Sequence, residues 1–210
     1  MARKKKEKQQ QTNTGFIYHG QVTVSIKKNN KIISSHTYNN NGGKELWFFL
    51  CTCLAGQYTE AANNYPLKIR LYHNSKSNPV VNPPDILNDC TPMTALISAN
   101  TKRDVLWDDN NKTYKTTLHF AIPASAFVQK SAIEAENYVN QIVLYNKNRG
   151  NNDTISSTST TTDFEYTAYY LITKIESGTL VWDLANSINL NNLFGNFTIL
   201  IDWQMSFTNN

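Results

Sequence analysis

Apolar and polar residues alternate with a two-residue period through most of this chain, the period of a strand with one buried face. The pattern is cleanest over 196–207, where Phe197, Ile199, Ile201, Trp203, Met205 and Phe207 share one face. A run that long and regular predicts a strand at the centre of a sheet. A second clear run covers 114–122, with Tyr114, Thr116, Leu118, Phe120 and Ile122 opposite Lys115, Thr117, His119 and Ala121. Val22, Val24 and Ile26 mark a strand over 16–26. Lys27-Lys28-Asn29-Asn30 then turns the chain into a return strand over 31–38, which makes a hairpin. Further strands are predicted over 67–72, 93–99, 138–145, 164–174 and 179–184, with Ser177-Gly178 turning between the last two. Residues 104–111, which include Trp107, read as a turn region.

One segment departs from this period. Leu46, Phe49, Leu50, Cys53 and Leu54 recur at helical spacing, and Gly56 stands where a left-handed stop is expected. A helix over 44–55 is therefore predicted. It is apolar over most of its circumference, so it is expected to be covered. About nine strands and one helix, separated by turn chemistry, imply a mostly-β protein. The expected body is an antiparallel β-sandwich or jelly-roll-like domain with one buried apolar helix and extended loops. Residues 15–210 form that single domain, and residues 1–14 form a basic polar arm. The stretches 74–92 and 149–162 are too long and polar for plain connections.

Composition sharpens this picture. Asparagine fills 28 of the 210 positions while only 8 are glycine, so asparagine is expected at left-handed turn positions. The formal net charge is +4, and residues 1–8 account for all of it: Arg3, Lys4, Lys5, Lys6 and Lys8 against Glu7. The remaining chain carries 15 charges of each sign and sums to zero. A neutral body lacks the field needed to hold duplex nucleic acid with its own face. Those five cations are the candidate partner contacts, toward nucleic acid or an acidic protein surface. No apolar run approaches the ~20 residues of a membrane-spanning helix, and the basic start leads into Gln, Thr and Asn instead of a signal-peptide core. No membrane association is expected. The odd count of 3 cysteines argues against a disulfide scaffold.

Candidate chemistry is sparse. His19, His36, His73 and His119 are scattered, without the spacing of a metal site, and read as partly exposed strand residues. Cys51 and Cys53 would face opposite sides of the helix, and Cys90 lies in the 74–92 stretch. Asp108-Asp109 and Glu134/Glu136 are the acidic pairs, but adjacent strand residues point apart, whereas glycoside hydrolysis needs two facing carboxylates. There is no phosphate-binding loop and no nucleophile elbow. No catalytic residue, metal ligand or cofactor is predicted, and the chain is expected not to be an enzyme.

Several stretches carry a resemblance. Val139-Asn-Gln-Ile-Val-Leu-Tyr-Asn146, a polar loop, Tyr169-Tyr-Leu-Ile-Thr-Lys-Ile175, Gly178-Thr-Leu-Val-Trp182 and the closing strand from Phe197 to Phe207 resemble bacteriophage virion proteins of the tail, collar and baseplate type. Gly20-Gln-Val-Thr-Val-Ser25, an Asn-Gly turn and an apolar segment ending Leu54-Ala-Gly56 add to the likeness. The whole is similar to small ring or collar proteins in the short tails of crAss-like phages. One departure is Gln141-Ile-Val before Leu144, where the family pattern has Glu-x-Gly. The resemblance implies a homo-oligomeric ring in the virion tail or collar, assembled in the host cytoplasm against portal, tail or neighbouring ring proteins. The alternatives are a head-attached decoration or fibre-base protein with receptor or glycan binding, and a hydrolase centred on Asp108 or Asp109.

Overall fold

The computed structural model describes residues 16–40, 67–79, 89–99, 104–110, 113–148 and 164–209. Among them the chain is mostly β, built from antiparallel sheets, and its helical pieces are single 3-10 turns such as Ala124–Ala126 and Glu134–Asn137. The helix predicted over 44–55 lies outside the described residues. No helix among the described residues is long and apolar enough to cross a membrane.

The first sheet has five strands: β1 (Phe16–Lys28), β2 (Lys31–Asn40), β6 (Asp104–Asp108), β7 (Thr113–Pro123) and β14 (Phe197–Asn209), in the order β2-β1-β14-β7-β6. The closing strand takes the central place that its alternation predicts. Its thirteen residues pair with all thirteen of β1, from Phe16↔Asn209 to Lys28↔Phe197. On its other side Ile199, Ile201 and Trp203 pair with Ile122, Phe120 and Leu118 of β7. The second sheet runs β10 (Phe164–Leu171), β9 (Gln141–Asn148), β3 (Lys68–Asn74), β4 (Cys90–Pro92), with β5 (Ile97–Ser98) also on β3. Two small ribbons complete the set: β11 (Thr173–Glu176) with β12 (Thr179–Trp182), and β8 (Tyr138–Val139) with β13 (Ile188–Asn189).

Both sheets contribute to one core. Val22, Val24, Leu118, Phe120, Ile122, Ile199, Ile201 and Trp203 come from the first; Ile69, Leu71, Ile142, Leu144 and Tyr170 come from the second. All are buried, and each occupies the inward parity of its strand.

Asparagine does replace glycine in the first hairpin. Asn29 and Asn30 have φ of 49° and 63°, both left-handed, in a two-residue loop between Lys28 and Lys31. A loop of this length needs positive φ at both positions so that its twist matches the strands. Ser177 and Gly178 repeat the arrangement at φ of 50° and 79°. Asn30→Val should destabilise the fold by about 1–2 kcal/mol, whereas Asn30→Gly should be neutral or better; thermal unfolding of the two variants checks the pair.

Four sequence readings are corrected. The strand predicted over 93–99 is reduced to the two residues of β5, with Thr94 in an isolated bridge to Phe127. Residues 104–108 are a strand, β6, where a turn was expected; Trp107 pairs with Tyr114, and the turn itself is short, with Asp108 accepting from the Asn110 amide at 3.0 Å. The predicted strand over 138–145 breaks at Asn140. Its buried side chain substitutes for strand backbone, accepting from the Asn74 amide at 2.6 Å and donating to the Asn74 carbonyl at 3.0 Å. The predicted strand over 164–174 breaks at Ile172, whose amide donates to Asn140 and whose carbonyl accepts from Asp183. At Asn140 the core parity shifts, from Val139 to Ile142 and Leu144, and the apolar residues that stand on both sides of the break hide the shift in the sequence.

Candidate functional surfaces

The arm residues Arg3, Lys4, Lys5, Lys6 and Lys8 lie outside the described residues, as do Cys51, Cys53 and the 149–162 stretch. Of the 74–92 stretch, 74–79 and 89–92 are described.

The histidines are not brought together. His19 Nε2 lies 2.9 Å from Thr208 Oγ1, and His73 Nδ1 lies 2.9 Å from the Tyr138 carbonyl. His36 packs beside Tyr38, with ring centroids 6.4 Å apart. His119 Nδ1 sits 2.7 Å from Asp202 Oδ1, a cross-strand pair whose carboxylate is half exposed and therefore screened by water. Asp108 forms an ion pair with Lys115, and Asp109 accepts from Trp107 Nε1 at 2.9 Å. Glu136 accepts from Ser131 Oγ at 2.6 Å on an exposed turn. Among the described residues no three His, Cys, Asp or Glu side chains are placed to share a metal ion.

The far face of the second sheet is buried and polar. Tyr72 and Tyr145 hydrogen-bond through their hydroxyls, and Arg70 is buried on the same parity of β3. The Cys90 thiol and Asn74 Nδ2 both donate to Gln141 Oε1, at 3.2 and 3.1 Å. Burial pushes both tyrosine hydroxyls above their ordinary range, while the Arg70 charge pulls against it. A proton is thus held firmly on each at neutral pH, which suits these groups to structure and not to acid-base exchange.

The outward face of the first sheet is hydrogen-bonding and nearly flat in chemistry. Thr23 meets Thr37, and Ser25 meets Ser35, each hydroxyl pair at 2.8 Å. Toward one end a hollow of about 430 Å³ is lined by Gln21, Asn39, Lys115, Gln204 and their neighbours. These groups can donate and accept hydrogen bonds to a polar surface or sugar.

Two corners of the same sheet carry a different chemistry. At the β1–β2 hairpin, Ile32 and Ile33 are 60% and 58% exposed, beside Lys27, Lys28 and Lys31. Next to them a second hollow of about 410 Å³ is lined by Lys27, Asn29, Ala121, Phe197, Thr198 and Leu200. At the β6–β7 end, Leu106, Trp107 and Tyr114 are 66%, 47% and 64% exposed, beside Asp108 and Asp109. The Trp107 and Tyr114 rings meet edge to face at 4.9 Å. Sequence reading missed both corners. The signals were adjacent apolar residues, Ile32-Ile33 and Leu106-Trp107, which a two-faced strand cannot bury together. A comparison with family models, with curated proteins and with solved structures returned no match to this chain.

Proposed function

We propose that the chain is a structural component of a phage virion, a ring or collar subunit of the tail or portal-tail region. Its body is read as a two-layer β-sandwich of jelly-roll-like type. The observation that carries this reading is the contrast between a closed core and a sheet with large apolar side chains exposed at both edge regions. Soluble proteins normally blunt their sheet edges, and apolar groups left there mark contact surfaces. A ring is made of such contacts, one face of each copy meeting a different face of the next. The basic arm, which holds the net charge of the whole protein, extends that contact onto a neighbouring subunit or an acidic surface. In this reading the chain works by fitting other chains and needs no reactive centre.

Native mass spectrometry and electron microscopy of the purified full chain test the proposal. A closed cyclic oligomer is expected, and deletion of residues 1–12 should weaken it in a salt-dependent way. A stable monomer at all concentrations overturns the reading. A second reading, a head-attached decoration or fibre-base protein that binds receptor or glycan, is favoured by the amide- and hydroxyl-lined hollow at Gln21, Asn39 and Gln204. A dimer or trimer that binds on a glycan array would select it.

A further inference from the structure

We propose that Asp183, with Tyr170 and Tyr38, holds a singly charged metal cation of the sodium or potassium class at the seam between the two sheets. The site stands whether or not the chain forms a ring.

The site begins with a buried charge. Asp183 follows directly on β12 and is 5% exposed. Its Oδ2 accepts from the neutral Asn186 Nδ2 at 2.9 Å. Its Oδ1 is buried and has no hydrogen-bond partner among the described residues, and no Lys, Arg or His among them forms an ion pair with it. A carboxylate taken out of water keeps its charge when it is paired or when it coordinates a metal. The Tyr170 hydroxyl, on a residue 4% exposed, is likewise buried without a partner among the described residues. Several contacts bring these groups into one small region. Tyr38 lies on β2 and Tyr170 on β10, the edge strands of the first and second sheets, and their rings are 5.3 Å apart. The Tyr38 hydroxyl donates to the Asn186 carbonyl at 2.8 Å. The Asp183 amide donates to the carbonyl of Ile172, two residues beyond Tyr170, at 2.9 Å. The Asp183 charge reaches both hydroxyls and helps to hold their protons on.

The donor set selects the ligand. It consists of oxygens, one from a carboxylate and two from neutral phenols whose lone pairs can still accept. It includes no sulfur or imidazole nitrogen, the donors that transition metals favour. Calcium and magnesium sites gain their affinity from the number of charged ligands, and a single carboxylate leaves a divalent ion half neutralised. A water molecule could bond to both oxygens, but it would leave the Asp183 charge uncompensated. A monovalent cation compensates it and leaves the phenols neutral. Tyr38 is half-buried and Asn186 is exposed, so the site lies one side chain below the surface and can exchange ions with solution. A cation held there clasps β2 to β10, two edges that share no backbone ladder.

Thermal unfolding of the full chain at neutral pH, in choline, sodium and potassium chloride at equal ionic strength, tests the site. Equal ionic strength keeps general screening the same in all three. The unfolding temperature should be higher in sodium or potassium than in choline by about 2–4 °C, and the gain should saturate with concentration. Asp183→Asn should lose this ion dependence, because its amide is neutral and can itself donate to the Tyr170 oxygen. Tyr170→Phe removes one ligand and should raise the half-saturating concentration several-fold. One unfolding temperature in all three salts overturns the proposal. So does an ion dependence that Asp183→Asn retains in full, which would place the ion elsewhere. Should Asp183→Asn fail to fold, anomalous diffraction from crystals of the wild-type chain grown in rubidium chloride decides the matter. A peak beside Asp183 Oδ1 supports the site, and water alone at that position, or rubidium only elsewhere, overturns it.

Discussion

Replacing Trp203 with alanine should destabilise the fold by about 3–5 kcal/mol, a large part of the ~5–15 kcal/mol that holds a domain together. Trp203 is fully buried at the middle of β14, the central strand, level with Val22 on one side and Leu118 on the other. It is the largest fully buried side chain among the described residues, and both neighbours would border the resulting cavity. Trp203→Phe should cost far less, about 1 kcal/mol. The buried indole Nε1 has no acceptor among the described residues, so phenylalanine removes an unsatisfied donor along with some volume. Urea denaturation of the two variants measures the difference. Equal losses would mean that the indole N–H is satisfied and that the ring is held by more than packing.

The second large effect is alkaline. Tyr170 is buried in the shared core, and its hydroxyl is raised far above the usual tyrosine range, first by burial and then by the nearby Tyr38 and Asp183. Tyr38, whose ring lies 5.3 Å from that of Tyr170, is pushed up to about 12 by burial and by Asp183, while its hydroxyl donates to the Asn186 carbonyl at 2.8 Å. Tyr72 and Tyr145 shift the same way. Below about pH 10 the folded and unfolded chains both keep these protons, and the contribution to stability is complete. Above it the unfolded chain releases them while the folded chain holds them, so the unfolded state binds fewer protons and stability falls as pH rises. Each tyrosine held in this way costs about 1.4 kcal/mol per pH unit. Stability should thus decline steeply above about pH 10, and Tyr170→Phe should flatten that decline by about one proton. Tyrosinate absorbance on the folded chain should lag behind that of the urea-unfolded chain over the same range. A folded chain that titrates like the unfolded one would show these hydroxyls to be open to water.

What could be read from the sequence divides along physical lines. The core was legible because burial writes itself as alternation: the inward residues of β1, β7 and β14 are those that the two-residue period selects. The central place of β14 followed from its length. The left-handed hairpin at Asn29-Asn30 followed from scarce glycine. Pairing partners were not legible, since nothing local in 197–209 names β1, almost two hundred residues earlier, as its neighbour. The breaks at Asn140 and Ile172 were hidden because apolar residues stand on both sides of each, so the sequence shows no gap although the core parity shifts from Val139 to Ile142. β6 was missed because five residues bounded by acids and asparagine look like a turn until Tyr114 supplies the partner for Trp107. The exposed apolar corners depend on such edge assignments, and an edge is a property of the sheet, not of any one segment.

The pairing of β1 with β14 has a consequence for how the protein is made. The central ladder of the first sheet joins residues 16–28 to 197–209, so it cannot close until residues 197–209 have left the ribosome. Until then the inward faces of β1 and β7 wait without the strand that separates them. Folding dominated by such distant contacts is slow, and the waiting chain exposes strands that other chains can capture. Translation that stops before residue 197 would leave not a smaller sheet but two separated halves of one, β2-β1 and β7-β6, each with an unpaired edge that invites aggregation.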